Sequence, residues 1–256
     1  MVAGLAGLHP SMCGAQAIGS AASVRNQVEG VHGGQSQTLS SGSSVYSNEL
    51  IRSGEASAAE LVFVDKTKLS VGPKAEVRLD KFVYDPNKGG GKVVIEASRG
   101  AYRFVTGVQD HRNYEIKTPY ASIGVRGTIF EANLANAQAR AGDPDPPLFL
   151  KGPRADRRCR NYEKIKLVSG EILVKTISGK NITVNQPDTV VTVCSDGSFQ
   201  TSMQNESILD FTPEDVAVVP GPELALLAAL AGIGALTLHN IEHKPEQKPV
   251  SPHRGD

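Results

Sequence analysis

The sequence lacks tryptophan altogether, has three cysteines, and carries no excess of charge of either sign. Lysine plus arginine and aspartate plus glutamate each total 27, so the formal net charge at pH 7 is zero. This balance excludes a global electrostatic attraction to nucleic acid or to an anionic membrane surface. Between Val45 and Phe130 the sequence also lacks an amphipathic helical period, which argues against a helical bundle.

The residue patterns of common catalytic and cofactor sites are missing as well. No Ser/His/Asp or Cys/His set emerges, and the glycine-rich stretch at 85–92 lacks the spacing of a phosphate-binding loop and is typical of a hairpin tip. The basic cluster at 154–160 has no aromatic neighbours for base stacking, so it is interpreted as a solvated loop. The sequence therefore predicts a non-enzymatic chain with no cofactor and no nucleic-acid partner.

What the chain does contain is typical of a turn-rich β protein. It has 26 glycines and many short runs of Val, Ile and Thr, separated by Gly, Pro and Asp turns. These runs predict two β modules at 45–134 and 161–210, joined by a linker loop at 135–160. The segment at 18–44 is rich in Gly, Ser and Gln and predicts a flexible stretch with at most one edge strand. The residues alone leave open a β-solenoid-like stack, a rolled antiparallel sheet and a two-sheet sandwich.

The first residues, 1–17, have the form of a signal peptide. They are small and moderately apolar, and the Ala-Gln-Ala at 15–17 matches a signal-peptidase site. A disordered tail is the alternative, because no basic residue precedes the apolar stretch. Cleavage at this site would remove Cys13 and leave Cys159 and Cys194, an even pair that predicts a disulfide in an exported domain. Two buried, unpaired thiols are the other interpretation.

The stretch Tyr114–Phe130 is the most informative part of the sequence. Before Pro119 the apolar residues Tyr114 and Ile116 lie at even positions, whereas after it Ile123, Val125 and Ile129 lie at odd positions. This change predicts that the buried face switches at a bend or bulge next to the proline, which cannot donate a ladder hydrogen bond. Gly124 and Gly127 inside the second run indicate a bulge or a close approach of another backbone.

Arg126, between the two glycines, is the candidate binding residue of this stretch. Its position in the alternation puts its side chain on the face of Thr128 and Phe130. There it would either form a buried ion pair with a carboxylate, which the small neighbours favour, or reach a partner at the surface. Several carboxylates near strand ends are interpreted as solvated turn residues, and any of them could pair with the arginine: Asp65, Asp80, Asp85 and Glu96.

The string TPYASIGVRGT at 118–128 resembles the signature TP-x-A-x-IG-x-RGT of the FecR family of bacterial periplasmic sensor and regulator domains. Three more segments resemble family segments in the same order, within about Leu50 to Glu131: LVFVDKTKLSVGP at 61–73, LDKFVYDP at 79–86 and RGAYRFVTG at 99–107. The resemblance implies a solenoid-like all-β fold and signalling through contacts with another protein. It assigns the family motif, and with it partner contact, to Thr118, Pro119, Ile123, Gly124, Val125, Arg126, Gly127 and Thr128.

The C-terminal part is apolar and predicts a helix at 216–238. Its longest apolar run, Leu224–Leu238, would span roughly 22 Å as a helix, short of the roughly 30 Å hydrocarbon core of a bilayer. A membrane-spanning helix and a helix docked on the protein are both compatible with this run. If it spans, the basic residues that follow it place the β modules outside the cytoplasm. The tail at 239–256 is expected to be disordered.

The FecR resemblance implies a periplasmic or cell-envelope protein that binds another envelope protein, either a receptor or a membrane regulator. It is anchored in the inner membrane if 216–238 spans it. A surface-display or scaffold protein held by the same segment is the alternative function. A metallohydrolase is the remote alternative, because His239, Glu242 and His243 match the H-x-x-E-H pattern of inverted zinc proteases. The proline-rich tail that follows leaves this pattern without the scaffold that a zinc site needs.

Overall fold

The computed structural model describes residues 16–84, 91–108, 114–135, 137 and 159–213, and this part of the chain is almost entirely β-sheet, with no α-helix. The chain divides into two compact units, Met1–Val218 and Val219–Asp256, and every described residue lies in the first. The strands are β1 (Ala17–Arg25), β2 (Val28–His32), β3 (Gln35–Thr38), β4 (Ser44–Tyr46), β5 (Leu50–Ser53), β6 (Ala58–Phe63), β7 (Lys68–Val71), β8 (Glu76–Tyr84), β9 (Gly91–Arg99), β10 (Ala101–Val105), β11 (Tyr114–Lys117), β12 (Ala121–Asn133), β13 (Tyr162–Thr176), β14 (Asn181–Val184), β15 (Thr189–Cys194) and β16 (Phe199–Met203).

The strands form one sheet that forks at β12. One edge of β12 pairs with β11 along its first half and with β10 along its second half, because a strand of 13 residues is long enough for two neighbours in a row. From β11 the sheet continues through β9, β8, β5 and β2 to β3, and from β10 it continues through β7, β6 and β1 to β4. The other edge of β12 pairs with β13, which carries β14 on one stretch and β15 with β16 on another.

The two arms of the sheet curl towards each other around one hydrophobic core. Phe63 of β6 stacks on Phe82 of β8 with ring centroids 5.3 Å apart, so strands from opposite arms are in contact. Phe104 of β10 meets Tyr114 of β11 edge to face at 5.9 Å, and it packs on Phe130 of β12 at 5.5 Å. Removing these large side chains from water is the main stabilising contribution, at roughly 25 cal/mol per Å² of apolar surface.

The prediction of an all-β fold with a rolled sheet is confirmed, but the sheet is not a stack of solenoid coils. Among the described strands only β9 and β11 pair in parallel, and the other pairs are antiparallel. The modules predicted at 45–134 and 161–210 share this one sheet, since β12 and β13 pair from Ala121 to Asn133.

The segment predicted to be flexible, 18–44, is structured. It supplies most of β1 and all of β2 and β3, and β1 pairs with β6 while β2 pairs with β5. Some of its few apolar side chains enter the core, and Ala21 and Val28 are fully buried. Sparse apolar residues were sufficient because the rest of the sheet supplies the other side of the core.

Four predicted segments lie wholly or almost wholly outside the described residues. These are the signal peptide at 1–17, the linker loop at 135–160, the apolar helix at 216–238 and the tail at 239–256. Within the described part, no helix has the length and apolar character needed to cross a membrane.

Candidate functional site

The family motif at 118–128 begins at a hairpin turn between β11 and β12. The Thr118 N–H donates to the carbonyl of Ala121 at 2.9 Å, and Pro119 takes the second turn position, where its fixed φ is favourable. Tyr114 therefore opposes Val125, and Ile116 opposes Ile123. The prediction that the buried face switches at a bend or bulge next to Pro119 was wrong. The apolar positions change from even to odd numbers because the chain reverses in the turn, and both runs keep their apolar residues on the core side.

The buried face does switch, but eight residues later, at Gly127. Its φ is +61°, and the register with β13 shifts between Arg126 and Ile129. Gly170 of β13 lies opposite with φ +89°, and a Cβ there would lie 2.1 Å from the Gly127 carbonyl oxygen. Both strands therefore change their buried face at the same place. The glycines of β12 predicted a bulge or a close approach of another backbone, and the two occur here together.

Thr128 holds this bulge together. It is 2% exposed, and its hydroxyl donates to the carbonyl of Glu171 at 2.6 Å. The same oxygen accepts from the N–H of Arg126 at 3.2 Å and from that of Glu171 at 3.3 Å. One side chain thus satisfies backbone groups that the shifted ladder leaves unpaired.

Arg126 is on the surface, which corrects two expectations. The bulge turns Thr128 and Phe130 into the core and leaves the arginine on the opposite, outer face, with 74% of its side chain exposed. Within the described part of the chain its ion pair is an exposed one, with Glu171 at 3.9 Å and 40% of the Glu171 side chain exposed, rather than the buried pair that was expected. A pair this exposed contributes at most about 1 kcal/mol.

None of the described carboxylates expected near Arg126 pairs with it. Asp80 and Glu96 both pair with Lys117, at 3.9 and 3.1 Å. Asp65 is fully buried rather than solvated, and it accepts hydrogen bonds from the Thr67 N–H at 2.9 Å and from the Tyr114 hydroxyl at 2.7 Å. Asp85 lies outside the described residues.

The outer side chains of β12 and β13 form a surface that we call the Arg126 face: Ser122, Gly124, Arg126, Glu171, Leu173 and Lys175. Gly124 opposes Leu173, which is 44% exposed. A Cβ at Gly124 would lie 3.8 Å from Leu173, an ordinary contact, and its backbone has no left-handed φ. The fold therefore does not require glycine at 124, and its absent side chain leaves Leu173 open to a partner.

The motif residues thus divide into two groups. Ile123 and Val125 are in the core at 0% and 3% exposure, while Pro119, Gly127 and Thr128 shape the backbone. Thr118 contributes to the turn and to a buried contact described next. Only Gly124 and Arg126 lie on the open face.

Glu163 of β13 is a buried acid that the sequence reasoning missed. It is fully buried beneath the hairpin turn, with Oε1 2.5 Å from the Thr118 hydroxyl oxygen and Oε2 accepting from the Tyr120 N–H at 3.3 Å. Burial raises the pKa of this carboxyl to about 7, against the opposing effect of the two hydrogen bonds. The alternation in β13 could have revealed it, because Ile165 and Leu167 share its inward face.

Cys159 and Cys194 are joined in the structure, with their Cα atoms 5.8 Å apart. The bond connects the start of β13 to the end of β15, which are already paired through Tyr162 and Cys194. The other chemical candidates, His239, Glu242 and His243, lie outside the described residues. Among the residues that the structure describes, no three His, Cys, Asp or Glu side chains are grouped as metal ligands.

Residues 49–142 match the family model described as FecR protein, which confirms the resemblance drawn from the four segments. Two crystal structures of a "putative anti-sigma factor" from Parabacteroides distasonis are similar to this chain, at 13% and 12% identity and TM-scores of 0.42 and 0.43. Each comparison covers 60% of this chain and 59% of the other, so the chain spans under two thirds of their length. No curated protein matches the sequence.

Proposed function

We propose that this chain is a non-enzymatic, extracytoplasmic binding and signalling protein of the FecR type, which contacts an envelope protein through the Arg126 face. The observation that carries the proposal is the division of the motif. Of the eight residues assigned to the motif, six shape the turn, the bulge or the core, and Gly124 and Arg126 have no such role. The match to the FecR protein family model over 49–142 supports a regulatory rather than a catalytic function.

The chemistry of the face suits a protein partner. Leu173 offers exposed apolar surface, because Gly124 opposite it has no side chain that could cover it. Arg126 and Glu171 place one positive and one negative charge beside this apolar surface. An apolar centre with charged groups at its rim is the usual composition of a protein interface, and an exposed arginine is a frequent anchor.

Site-specific photocrosslinking tests this proposal in cells that contain the native envelope. A benzoylphenylalanine placed at Leu173 is expected to give a discrete adduct with an envelope protein. The matched control is the same residue at Val83, which is 46% exposed on β8, three strands away from β12 in the sheet. An Arg126→Glu change should remove the Leu173 adduct. Equal adducts at both positions, or adducts only with cytosolic proteins, would overturn the proposal.

A further inference from the structure

The segment after β16 crosses the outer face of β12 and β13 without joining the sheet. We call residues 204–209 the strap. Beneath it lie Glu131 of β12 and Lys166 of β13, which oppose each other in the ladder and are each 3% exposed. Both side chains point outward, because Phe130 and Leu167 beside them are in the core. Two charged groups on an outer face are therefore buried beneath the strap.

The strap is held mainly through its backbone. The Lys166 ammonium donates to the carbonyls of Asn205 at 2.9 Å and Glu206 at 2.8 Å. The Glu131 carboxylate accepts from the N–H of Ile208 at 3.0 Å and from the Ser207 hydroxyl at 2.9 Å. Asn133 adds a hydrogen bond from its side-chain amide to the carbonyl of Ile208 at 2.8 Å. Four of these five contacts are made with backbone groups of the strap. A segment of different sequence could therefore make the same four contacts.

The strap itself buries little apolar surface against the sheet. Residues 205–207 are exposed, and only Ile208 is buried. A cleft of about 230 Å³ runs beside the strap, lined by Asn133, Tyr162, Lys164, Gln204, Ser207, Ile208 and Leu209. Segments with few buried apolar contacts open at low free-energy cost.

Glu131 and Lys166 each have an ion-pair partner outside the strap, so they remain paired when the strap detaches. Arg103 lies 3.3 Å from Glu131, and Asp188 lies 3.0 Å from Lys166. Opening would expose two ion pairs to water rather than strand a charge in the interior, so it avoids the large penalty of an unpaired buried ion.

From this geometry we infer that the outer face of β12 and β13 around Glu131 and Lys166 is a binding surface for an extended peptide segment. Residues 205–208 are its intramolecular occupant, and an extended segment of a partner protein takes their place when it binds. The surface lies on the same two strands as the Arg126 face, beyond the Gly127 bulge. The surface recognises three backbone groups of its occupant. Lys166 binds the carbonyls of two successive residues, and Glu131 binds the N–H of the residue three positions after the first of them.

A peptide that copies residues 203–211 tests the inference when added to the full chain. Ile208→Pro removes the N–H that Glu131 binds and the one buried apolar side chain of the strap, and it lies outside every strand. The labelled peptide is expected to bind this variant, by fluorescence anisotropy, at least about tenfold more tightly than it binds the unaltered chain, whose own strap competes. Adding Lys166→Met should weaken binding about tenfold, the effect of losing a charged donor.

The control is the same peptide with the Ile208→Pro change, which should not bind. Amide hydrogen exchange at 204–209 should be faster in the Ile208→Pro protein, with unchanged exchange in β12 and β13. Should the variant fail to fold, Ser207→Gly with Ile208→Ala weakens the same contacts without proline. No binding of the 203–211 peptide to a folded strap variant, or equal binding of the two peptides, would overturn the inference. Neither result depends on Arg126, so the proposed function is tested separately.

Discussion

At the scale of single residues, the same motif contains side chains with opposite roles. Thr128 satisfies three backbone groups inside the bulge, whereas Arg126, two positions earlier, makes one loose contact in water. A side chain that does little for the fold is free to serve a partner. This contrast gives mutational predictions that separate stability from binding.

Replacing Arg126 by alanine should leave stability nearly unchanged. Its pair with Glu171 is exposed on both sides, so we expect a loss of less than about 1 kcal/mol in the free energy of unfolding. Urea denaturation of the two proteins measures this difference. A loss of about 3 kcal/mol or more would mean that the arginine is part of the fold's internal network, contrary to the structure. Thr128→Val, which keeps the shape but removes the hydroxyl, should cost more than Arg126→Ala.

Glu163 should make the protein less stable as the pH rises. Its pKa is raised to about 7 in the folded state from the ordinary value of 4.5, so the folded state binds more protons between these values. Stability is then fully present below about pH 4.5 and is lost as the pH rises through 7, by a few kcal/mol at most. Burial also raises the pKa of Glu49, which adds a slope of the same sign.

Glu163→Gln isolates the contribution of this one carboxyl. Glutamine keeps the size of the side chain and can still bond to Thr118 and Tyr120, but it does not titrate. The stability of the variant should therefore decrease less between pH 5 and 8 than that of the parent. At pH 8 the variant should be the more stable of the two proteins. Unfolding by urea at both pH values provides the comparison. Parallel pH profiles for the two proteins would contradict a raised pKa at this position.

At the scale of elements, β12 and β13 change face together. Gly127 and Gly170 lie opposite each other with positive φ, so neither strand could turn over without the other. The kink lets one pair of strands serve two parts of the core while its outer side carries first the Arg126 face and then the strap surface. It is the element on which both proposed surfaces depend.

Gly170→Ala should be strongly destabilising. Its Cβ would meet the Gly127 carbonyl oxygen at 2.1 Å, and alanine disfavours φ +89°, so we expect a loss of about 2–4 kcal/mol. Gly124→Ala is the matched control, because its Cβ has ordinary space. That control should change stability by no more than about 0.5 kcal/mol. Thermal or chemical denaturation that ranks the two variants equally would argue against the kink.

At the scale of the whole molecule, the disulfide ties the last strands to the sheet. Cys159 and Cys194 are 35 positions apart, and closing a loop of this length restricts the unfolded chain. The double change Cys159→Ser, Cys194→Ser should lower the free energy of unfolding by about 3–4 kcal/mol. Denaturation with and without reductant provides the second measurement, since reductant should affect the parent and leave the double variant unchanged. Free thiols at both Cys159 and Cys194, found by alkylation of the unreduced protein, would contradict the pairing.

The sequence by itself determined the all-β class, the FecR resemblance and the glycine bulge in β12, because alternation, turn residues and positive φ are local properties of the chain. It could not place Arg126, since one extra residue in a bulge inverts the faces of everything after it, and only the register with β13 shows where that residue lies. It predicted at most one edge strand where β1 to β3 lie, because the buried apolar residues there, such as Ala21 and Val28, are covered by strands distant in the sequence. The Glu163 contact and the strap surface depend on side chains brought together from distant parts of the chain, and only the tertiary structure decides which polar groups meet when the sheet closes on its core.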